Sequence, residues 1–511
     1  MSKTAVTGSL LSFDIDRASH KPLYHQLAEH LRNAITAGRL PAGTKLPSTR
    51  VVADELDVSR ITVVQAFDAL QTEGLLVSKV GAGTFVTDEG GRMDKVARAP
   101  TETVAPKSGR NDIYPFRSLS HRGSRLVSSV RAEFAERPRS FMPDIPDLRE
   151  FPIKTWLRLL GETSGRLTGE ILVDTSNAGY EPLRKALAQH LSASRGMQCD
   201  WQQIIITTGS QQSLHLVCQM LSDPGDAVWF EEPGYIGTRS VIRGSAGSIC
   251  PVPVDAQGLC VDAAIATHPV PRLIFVTPAR QYPTGATLSQ PRRELLMQFA
   301  HASGAWIVED DYDNEFRYVG HTPQAIHGMD KGGRTIHIGT FSKILLPSFR
   351  LGYIVVPPDL SEAFGQGRAV VDRHASLIEQ MVLSEFMNRG LLVSHIRRMR
   401  NLYRARQTQL IAGLRDMLGA DLAFTGTETG LHVTLQLTGE ADDVALTSQA
   451  AQSDVVVRPL SPYFATRQRR QGLLLGFAAF NHREIDDGLE RLSSIEDKLK
   501  RYLLPADFAI F

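Results

Sequence analysis

From about Phe141 onward the chain is punctuated by short apolar runs, most of them leading into helical periodicity: "QIIITTG" before "SQQSLHLVCQML", then "DAVWFEEPG", "RLIFVTP", "AWIVEDDY", "TIHIGTF" and "RLGYIVVP". β-Favouring runs without polar alternation are strands buried on both faces, and strands joined through helices build a mostly parallel sheet with helices on both sides. In such sheets, sites lie beyond the carboxyl ends of the strands. Those ends are therefore where chemistry is to be sought.

The first part of the chain has a different texture. "PLYHQLAEHLRNAITAG" sets Leu23, Leu27, Leu31, Ala34 and Ile35 on one helical face, with Gly38 as its stop. "LPSTRVVADELDVSRITVVQAFDALQTEGLL" holds two further helices with Ser48 and Ser59 as N-caps. "LLVSKVGAGTFVT" then reads as two strands about a glycine turn. Between about 88 and 140 the composition shifts to Gly, Pro, Thr and charge, the mark of an irregular linker. The chain has 511 residues, and single cores stop growing near ~250–300 residues. We therefore expect a domain at 20–87, a linker at 88–140 and a second domain at 141–511.

Composition narrows the class. Hydrophobic residues make up 42% and no apolar run approaches a bilayer-spanning length, so no membrane partner is expected. No apolar leader opens the sequence, which points to a cytoplasmic address. Cys199, Cys218, Cys250 and Cys260 show no metal or disulfide spacing and read as buried thiols. A net charge of +1 confines any nucleic-acid contact to a local patch.

Such a patch lies in the head. Three helices and a wing have the order of a winged helix-turn-helix, whose second motif helix, about Ser59–Glu73, enters the major groove of double-stranded DNA. Arg60 and Thr62 at its start, and Ser48 and Arg50 at the preceding helix, face bases or phosphates in that reading. Lys45 and Lys79 add charge, and the wing-tip glycines, including Gly81 and Gly83, permit close backbone approach. The alternative is a small helical domain with surface arginines. "GTKLPSTRVVADELDVSRITVVQAFDALQTEGLLVSKVGAGTFV" resembles the GntR-type winged helix over nearly its full length.

In "TIHIGTFSKILLPSFRLGYIVVP", Lys343 sits between two apolar strands with Thr340 and Ser342 before it and Arg350 after it. A lysine in an apolar pocket has its pKa lowered, and its neutral amine condenses with an aldehyde. Hydroxyls and an arginine suit a phosphate on that aldehyde. "TTGSQQSL" presents the N–H groups of Ser210 and Gln211 at a helix start, a second phosphate device. Tyr235 in "EEPGY" offers a ring to stack on a pyridine, or is a core tyrosine. "WIVEDDYDNEF" offers Asp310 for a pyridinium nitrogen and Tyr312 for a ring hydroxyl; the crowding of Asp310, Asp311, Asp313 and Glu315 is also compatible with a divalent cation. No metal is expected, since neither EF-hand spacing nor a P-loop accompanies these acids.

"GYEPLRKAL", "TTGSQQSL", "EEPGY", "TPARQYPTG", "VEDDYDNEF" and "GTFSKILLPSFRLGY" occur in the order found in fold-type I, pyridoxal-phosphate-dependent aminotransferases, which this region resembles. With the GntR-like head, the whole chain resembles a MocR-type transcriptional regulator. The fold class implied is multidomain: an all-α winged helix-turn-helix head followed by an α/β aminotransferase-like domain. The resemblance also implies pyridoxal 5'-phosphate as cofactor, Lys343 as the lysine that forms the internal aldimine with it, and a homodimer reading two DNA half-sites. Sensing would proceed by external aldimine formation with a small amino compound. The sequence departs from the aminotransferase pattern at Tyr282, which stands where many carry Asn, with Gln281 as the replacement contact to the ring hydroxyl. Arg280 is a candidate cation for an anionic effector. Arg458 is the candidate where "LLLGFAAF" lacks the usual carboxylate-binding arginine. These departures favour a sensor without efficient turnover; the alternative is a working aminotransferase with an accessory head.

Overall fold

The computed structural model describes residues 16–17, 21–79, 83–87, 119–120, 122–124, 139–169, 176–373, 375–466 and 469–505. The chain divides into two compact units, Met1–Pro115 and Phe116–Phe511. Gly81 and most of the expected linker lie outside the described residues.

In the first unit, helices Leu23–Thr36, Thr49–Leu56 and Arg60–Thr72 precede strands β1 (Leu76–Lys79) and β2 (Gly83–Val86), paired antiparallel with Leu76 opposite Val86. Leu27, Leu31, Val52, Val63, Phe67 and Val86 are among its buried residues. Both serine caps form: the Ser48 hydroxyl accepts from Val51 N–H, and that of Ser59 from Thr62 N–H at 3.1 Å. Each satisfies a donor that the first helical turn leaves open. Thr44–Leu46 runs along β2, accepting from Val86 N–H and donating from Leu46 N–H, which ties the wing to the helices.

The second unit is built on a sheet of β3 (Ile204–Thr207), β4 (Ala227–Glu232), β5 (Ser248–Asp255), β6 (Gly258–Leu259), β7 (Leu273–Val276), β8 (Trp306–Asp311), β9 (Thr335–Thr340) and β10 (Gly352–Val355), in the spatial order 3-10-9-8-7-4-5-6. Strands β9, β8, β7, β4 and β5 are mutually parallel, whereas β10 runs antiparallel to both β3 and β9. Strands β3, β7, β8, β9 and β10 are buried along their whole length, which is why β3, β7 and β10 read as apolar runs rather than alternations, while β8 ends in buried acids and β9 carries a buried histidine.

A smaller antiparallel sheet, β11 (Phe424–Thr425), β12 (His432–Leu437), β13 (Arg458–Pro459) and β14 (Gln471–Gly476), takes the order 11-12-14-13 and packs with the 28-residue helix Leu391–Leu418. The segment entering the unit is anchored there. Phe141 is fully buried in this second core, its carbonyl accepts from Gly476 N–H at 2.7 Å, and Asp147 is ion-paired to Arg406 at 2.8 Å. Asp144 is thereby held between two fixed points. No helix among the described residues is long and apolar enough to cross a membrane.

Candidate functional site

The sheet topology brings the sequence-marked residues to one edge. Because β10 is antiparallel, its first residue, Gly352, lies opposite both Thr207 and Thr340, the last residues of β3 and β9. Arg350 therefore stands beside Gly209 and the Thr340–Lys343 turn. Two glycines allow the approach: a Cβ on Gly352 would fall 2.8 Å from the Gly209 Cα, and Gly209 itself has φ 118°. A Cβ on Gly209 would lie 3.6 Å from the Arg350 guanidinium, the near face of an anion cradle. Among the described residues that guanidinium has no hydrogen-bond partner. Gly209 opens the helix Ser210–Leu221, whose first N–H groups have no intrahelical acceptor. The Thr340 hydroxyl is tied into the turn by Ser342, its Oγ accepting from Ser342 N–H and donating to Ser342 Oγ, both at 3.2 Å.

At the end of β8 the pleat sorts the acids. Successive residues of a strand face opposite sides of a sheet, so Glu309 and Asp311 share one face and Asp310 takes the other. Glu309 accepts from Ile326 and His327 N–H and lies 3.2 Å from His337. Asp311 is bonded to Arg195 at 2.6 Å, and Glu315 joins the same arginine at 3.2 Å. Asp313 pairs with Arg280 at 3.1 Å. Three of the crowded acids are thus matched by two arginines, Asp311 and Glu315 by Arg195 and Asp313 by Arg280, and among the described residues no three are grouped as metal ligands. Asp310 differs: Asp311 and Asp313 each leave one oxygen unbonded but ion-pair through the other, whereas the Asp310 carboxyl, its Oδ1 buried, has neither ion pair nor hydrogen bond among the described residues.

Burial, reinforced by Asp311, raises the Asp310 pKa to about 7, against the pull of His337 and Lys343. A raised carboxyl pKa means that the folded state holds a proton that the unfolded chain releases near pH 4, so the group lowers stability as pH rises toward 7. Between pH 5 and pH 7.5, cofactor-free wild type should lose about 3 kcal/mol more than Asp310→Asn does. Urea denaturation of the two proteins at both pH values measures the difference; equal losses would contradict the assigned burial of this charge.

Three further expectations meet the structure differently. Gln281 does not present its amide to a ring hydroxyl. Its Oε1 accepts from Thr284 N–H and Oγ1, and its Nε2 donates to the carbonyls of Pro233 and Tyr282 and, at 3.3 Å, to Glu231. It braces the Tyr282–Gly285 turn instead. Arg280 is not an open cation either: fully buried, it bonds the carbonyls of Thr429 and His432, the Asp313 carboxylate and the Tyr312 hydroxyl at 3.0 Å. Arg458 does face the site, but its guanidinium lies 3.2 Å from a carboxylate of the chain itself, Asp144.

Lys343 Nζ donates to the Asp144 carbonyl at 2.9 Å. Around that contact stand residues the sequence had not marked as ligands. Tyr282 donates its hydroxyl to Asp144 at 2.6 Å and lies 3.2 Å from the Tyr463 hydroxyl; the His432 Nδ1 is 3.1 Å from Asp144. The rings of Tyr235, Tyr312, Tyr463 and His432 each meet Tyr282 edge-on at 5.4–5.6 Å between centroids. The Asn-to-Tyr departure at 282 was the signal available for this cluster. Asp144, His432 and Tyr463 carried none, being brought in from distant segments.

In the first unit, Arg50, Arg60, Ser48 and Lys45 are exposed. Arg60 Nε approaches the Thr49 hydroxyl at 3.4 Å, setting both helix starts side by side. Lys45 and Lys79 each place Nζ 5.7 Å from the Phe85 ring centroid, so two cations flank the wing. Gly83 has φ 110°.

Residues 23–86 match the gntR family of bacterial regulatory proteins, and residues 165–492 match the aminotransferase class I and II family. The probable rhizopine catabolism regulatory protein MocR of Rhizobium meliloti is 38% identical over 94% of this chain and 95% of its own length. This chain belongs to the MocR-type GntR regulators. Another relative, the HTH-type regulator TauR of Rhodobacter capsulatus, is 30% identical over 94% of this chain and 98% of its own. The second unit of this MocR-type chain is also similar to the kynurenine aminotransferase of Pyrococcus horikoshii, solved with PMP, at TM-score 0.65 and 25% identity, over 75% of this chain and 95% of that one. An archaeal alanine:glyoxylate aminotransferase gives TM-score 0.67 at 25% identity, over 74% and 98%. The chain is accordingly a DNA-binding transcription regulator with a fold-type I, pyridoxal-phosphate-binding domain.

The residues at the sheet edge fit that group. An unpartnered guanidinium beside a glycine-opened helix start suits its phosphate, the orphaned Asp310 Oδ1 suits a protonated ring nitrogen, and Lys343 supplies an amine.

Proposed function

We propose that this regulator senses a small amino compound at Lys343 and converts its arrival into a change in DNA binding. The observation that carries the reading is the convergence of Lys343 Nζ, the orphaned Asp310 Oδ1 and the unpartnered Arg350 guanidinium at one sheet edge, in a chain whose head keeps exposed arginines at both helix starts. When bound, pyridoxal phosphate supplies an aldehyde carbon for which amines compete. Lys343 would provide the resident amine, against which an effector amine would compete. Asp310 would hold a proton toward the ring nitrogen, Arg350 with the N–H groups of Ser210 and Gln211 would hold the phosphate, and Tyr235 would offer its ring as a stacking face. Tyr312, whose hydroxyl accepts from Arg280, would be the partner of the ring hydroxyl.

As a homodimer the regulator carries two heads, and two half-sites on DNA raise the effective concentration of the second contact. Linkage then requires that an effector which alters DNA affinity have its own affinity altered by DNA in the same ratio, a coupling of typically ~1–3 kcal/mol. The test is to titrate the cofactor-loaded protein with amines, following visible absorption and the DNA footprint together. An amine that shifts both and is recovered unmodified supports sensing; steady accumulation of a 2-oxo acid with an unchanged footprint would establish the aminotransferase reading instead. In the same assay Arg60→Ala should weaken DNA binding and flatten its salt dependence by about one counterion, leaving the cofactor spectrum unchanged.

A further inference from the structure

Asp144 has an unusual position for an acidic side chain. Its φ is +69°, in the left-handed region that β-carbon-bearing residues rarely take. It enters the site 199 positions before the lysine it contacts. Its flanks are pinned, Phe141 in the second core and Asp147 on Arg406, so the backbone has little freedom to withdraw it. The carboxylate is about nine-tenths buried and takes three partners: the Tyr282 hydroxyl at 2.6 Å, the Arg458 guanidinium at 3.2 Å and His432 at 3.1 Å. Burial by itself would raise its pKa, but Lys343, His432 and Arg458 overcome this and hold it well below the carboxylate range. Its three polar partners and the neighbouring amine favour the ionised carboxylate at this place.

An α-amino acid that brings its nitrogen to the place of Lys343 Nζ carries a carboxylate two bonds away. It then needs a cation with free donors. Arg280 is enclosed by Asp313, Tyr312 and two carbonyls, and Arg458 is already matched by Asp144. A second anion would stand against Asp144, with Asp313 close behind. An amine whose neighbouring carbons carry hydroxyl groups meets the opposite situation: a carboxylate that accepts, and two phenols, Tyr282 and Tyr463, that exchange roles readily.

We propose that Asp144 sets effector class, neutralising Arg458 from within so that the site takes hydroxylated amines lacking an α-carboxylate and rejects α-amino acids. This rests on the sensing role assigned to Lys343 above. The residue acts at the ligand's flank, not at the reacting atoms.

Serinol and L-serine differ only in a hydroxymethyl group against a carboxylate and serve as probes. Each is titrated into cofactor-loaded wild type, Asp144→Gly and Asp144→Asn, with visible absorption reporting binding and DNA affinity as a second, non-catalytic readout. Glycine suits the positive φ, so that variant should fold, and it removes the Asp144 carboxylate from Arg458. We expect wild type to bind serinol at least about tenfold more tightly than L-serine, a difference near 1.4 kcal/mol. Asp144→Gly should move the ratio about tenfold or more toward L-serine, with Asp144→Asn between them. A wild type that prefers L-serine, or a ratio unchanged in Asp144→Gly, overturns the proposal while leaving sensing intact. Indifference of spectrum and DNA affinity to both amines in all three proteins overturns the sensing reading and this one with it.

Discussion

Lys343→Ala should eliminate every borohydride-fixed cofactor adduct while the variant still binds pyridoxal phosphate without a covalent link. The expectation follows from the division of labour at the sheet edge. Nζ is the site's amine, but the groups suited to the phosphate and the ring nitrogen are Arg350, the Gly209–Ser210 helix start and Asp310, none of which the substitution removes. Reduction, denaturation and absorbance of the separated protein give the result directly. A persistent adduct in the variant would locate the reactive amine on another lysine. The variant should also lose its Lys343–Asp144 hydrogen bond, and since that carbonyl belongs to a backbone with positive φ, its fold is best checked alongside.

The second large effect concerns stability. Arg280→Met should cost about 3–5 kcal/mol, because removing one member of a buried ion pair leaves the other charge uncompensated. Asp313 is the charge left behind, with 1% of its side chain exposed, and the carbonyls of Thr429 and His432 and the Tyr312 hydroxyl lose their donor as well. Burial already lifts Asp313 to about 6 with the arginine present. Without it the carboxyl should bind a proton at neutral pH. Asp313→Asn added to Arg280→Met should therefore recover a substantial part of the loss, and equilibrium denaturation of wild type, both single variants and the double variant measures the coupling. A single variant as stable as wild type would mean that the guanidinium is dispensable to the fold.

Most of the architecture was legible locally, because the signals that specify it are local. Periods of 3.6 in "PLYHQLAEHLRNAITAG" and serines before apolar helices determined the head, and the caps at Ser48 and Ser59 form as read. The buried strands declared themselves through unbroken apolar runs, and each turn at a strand's carboxyl end carried its chemistry in sequence: Gly209–Ser210, Tyr235, Asp310, Lys343. Tertiary structure decided what those side chains face. In "VEDDYDNEF" five acids lie within seven residues, and the strand's pleat together with His337, Arg195 and Arg280 leaves Asp310 as the one whose carboxyl has no ion pair or hydrogen bond among the described residues. Gln281 and Arg280 have the right chemistry for ligands, yet the fold closes its own hydrogen bonds around them. Asp144 reaches Lys343 only because the second core pins Phe141, and no periodicity in "FMPDIPDLREFP" announces it. Sequence patterns encode which face of an element is buried; which buried polar group meets which other depends on chain closures across one to three hundred residues, and those exist only once the sheets have assembled.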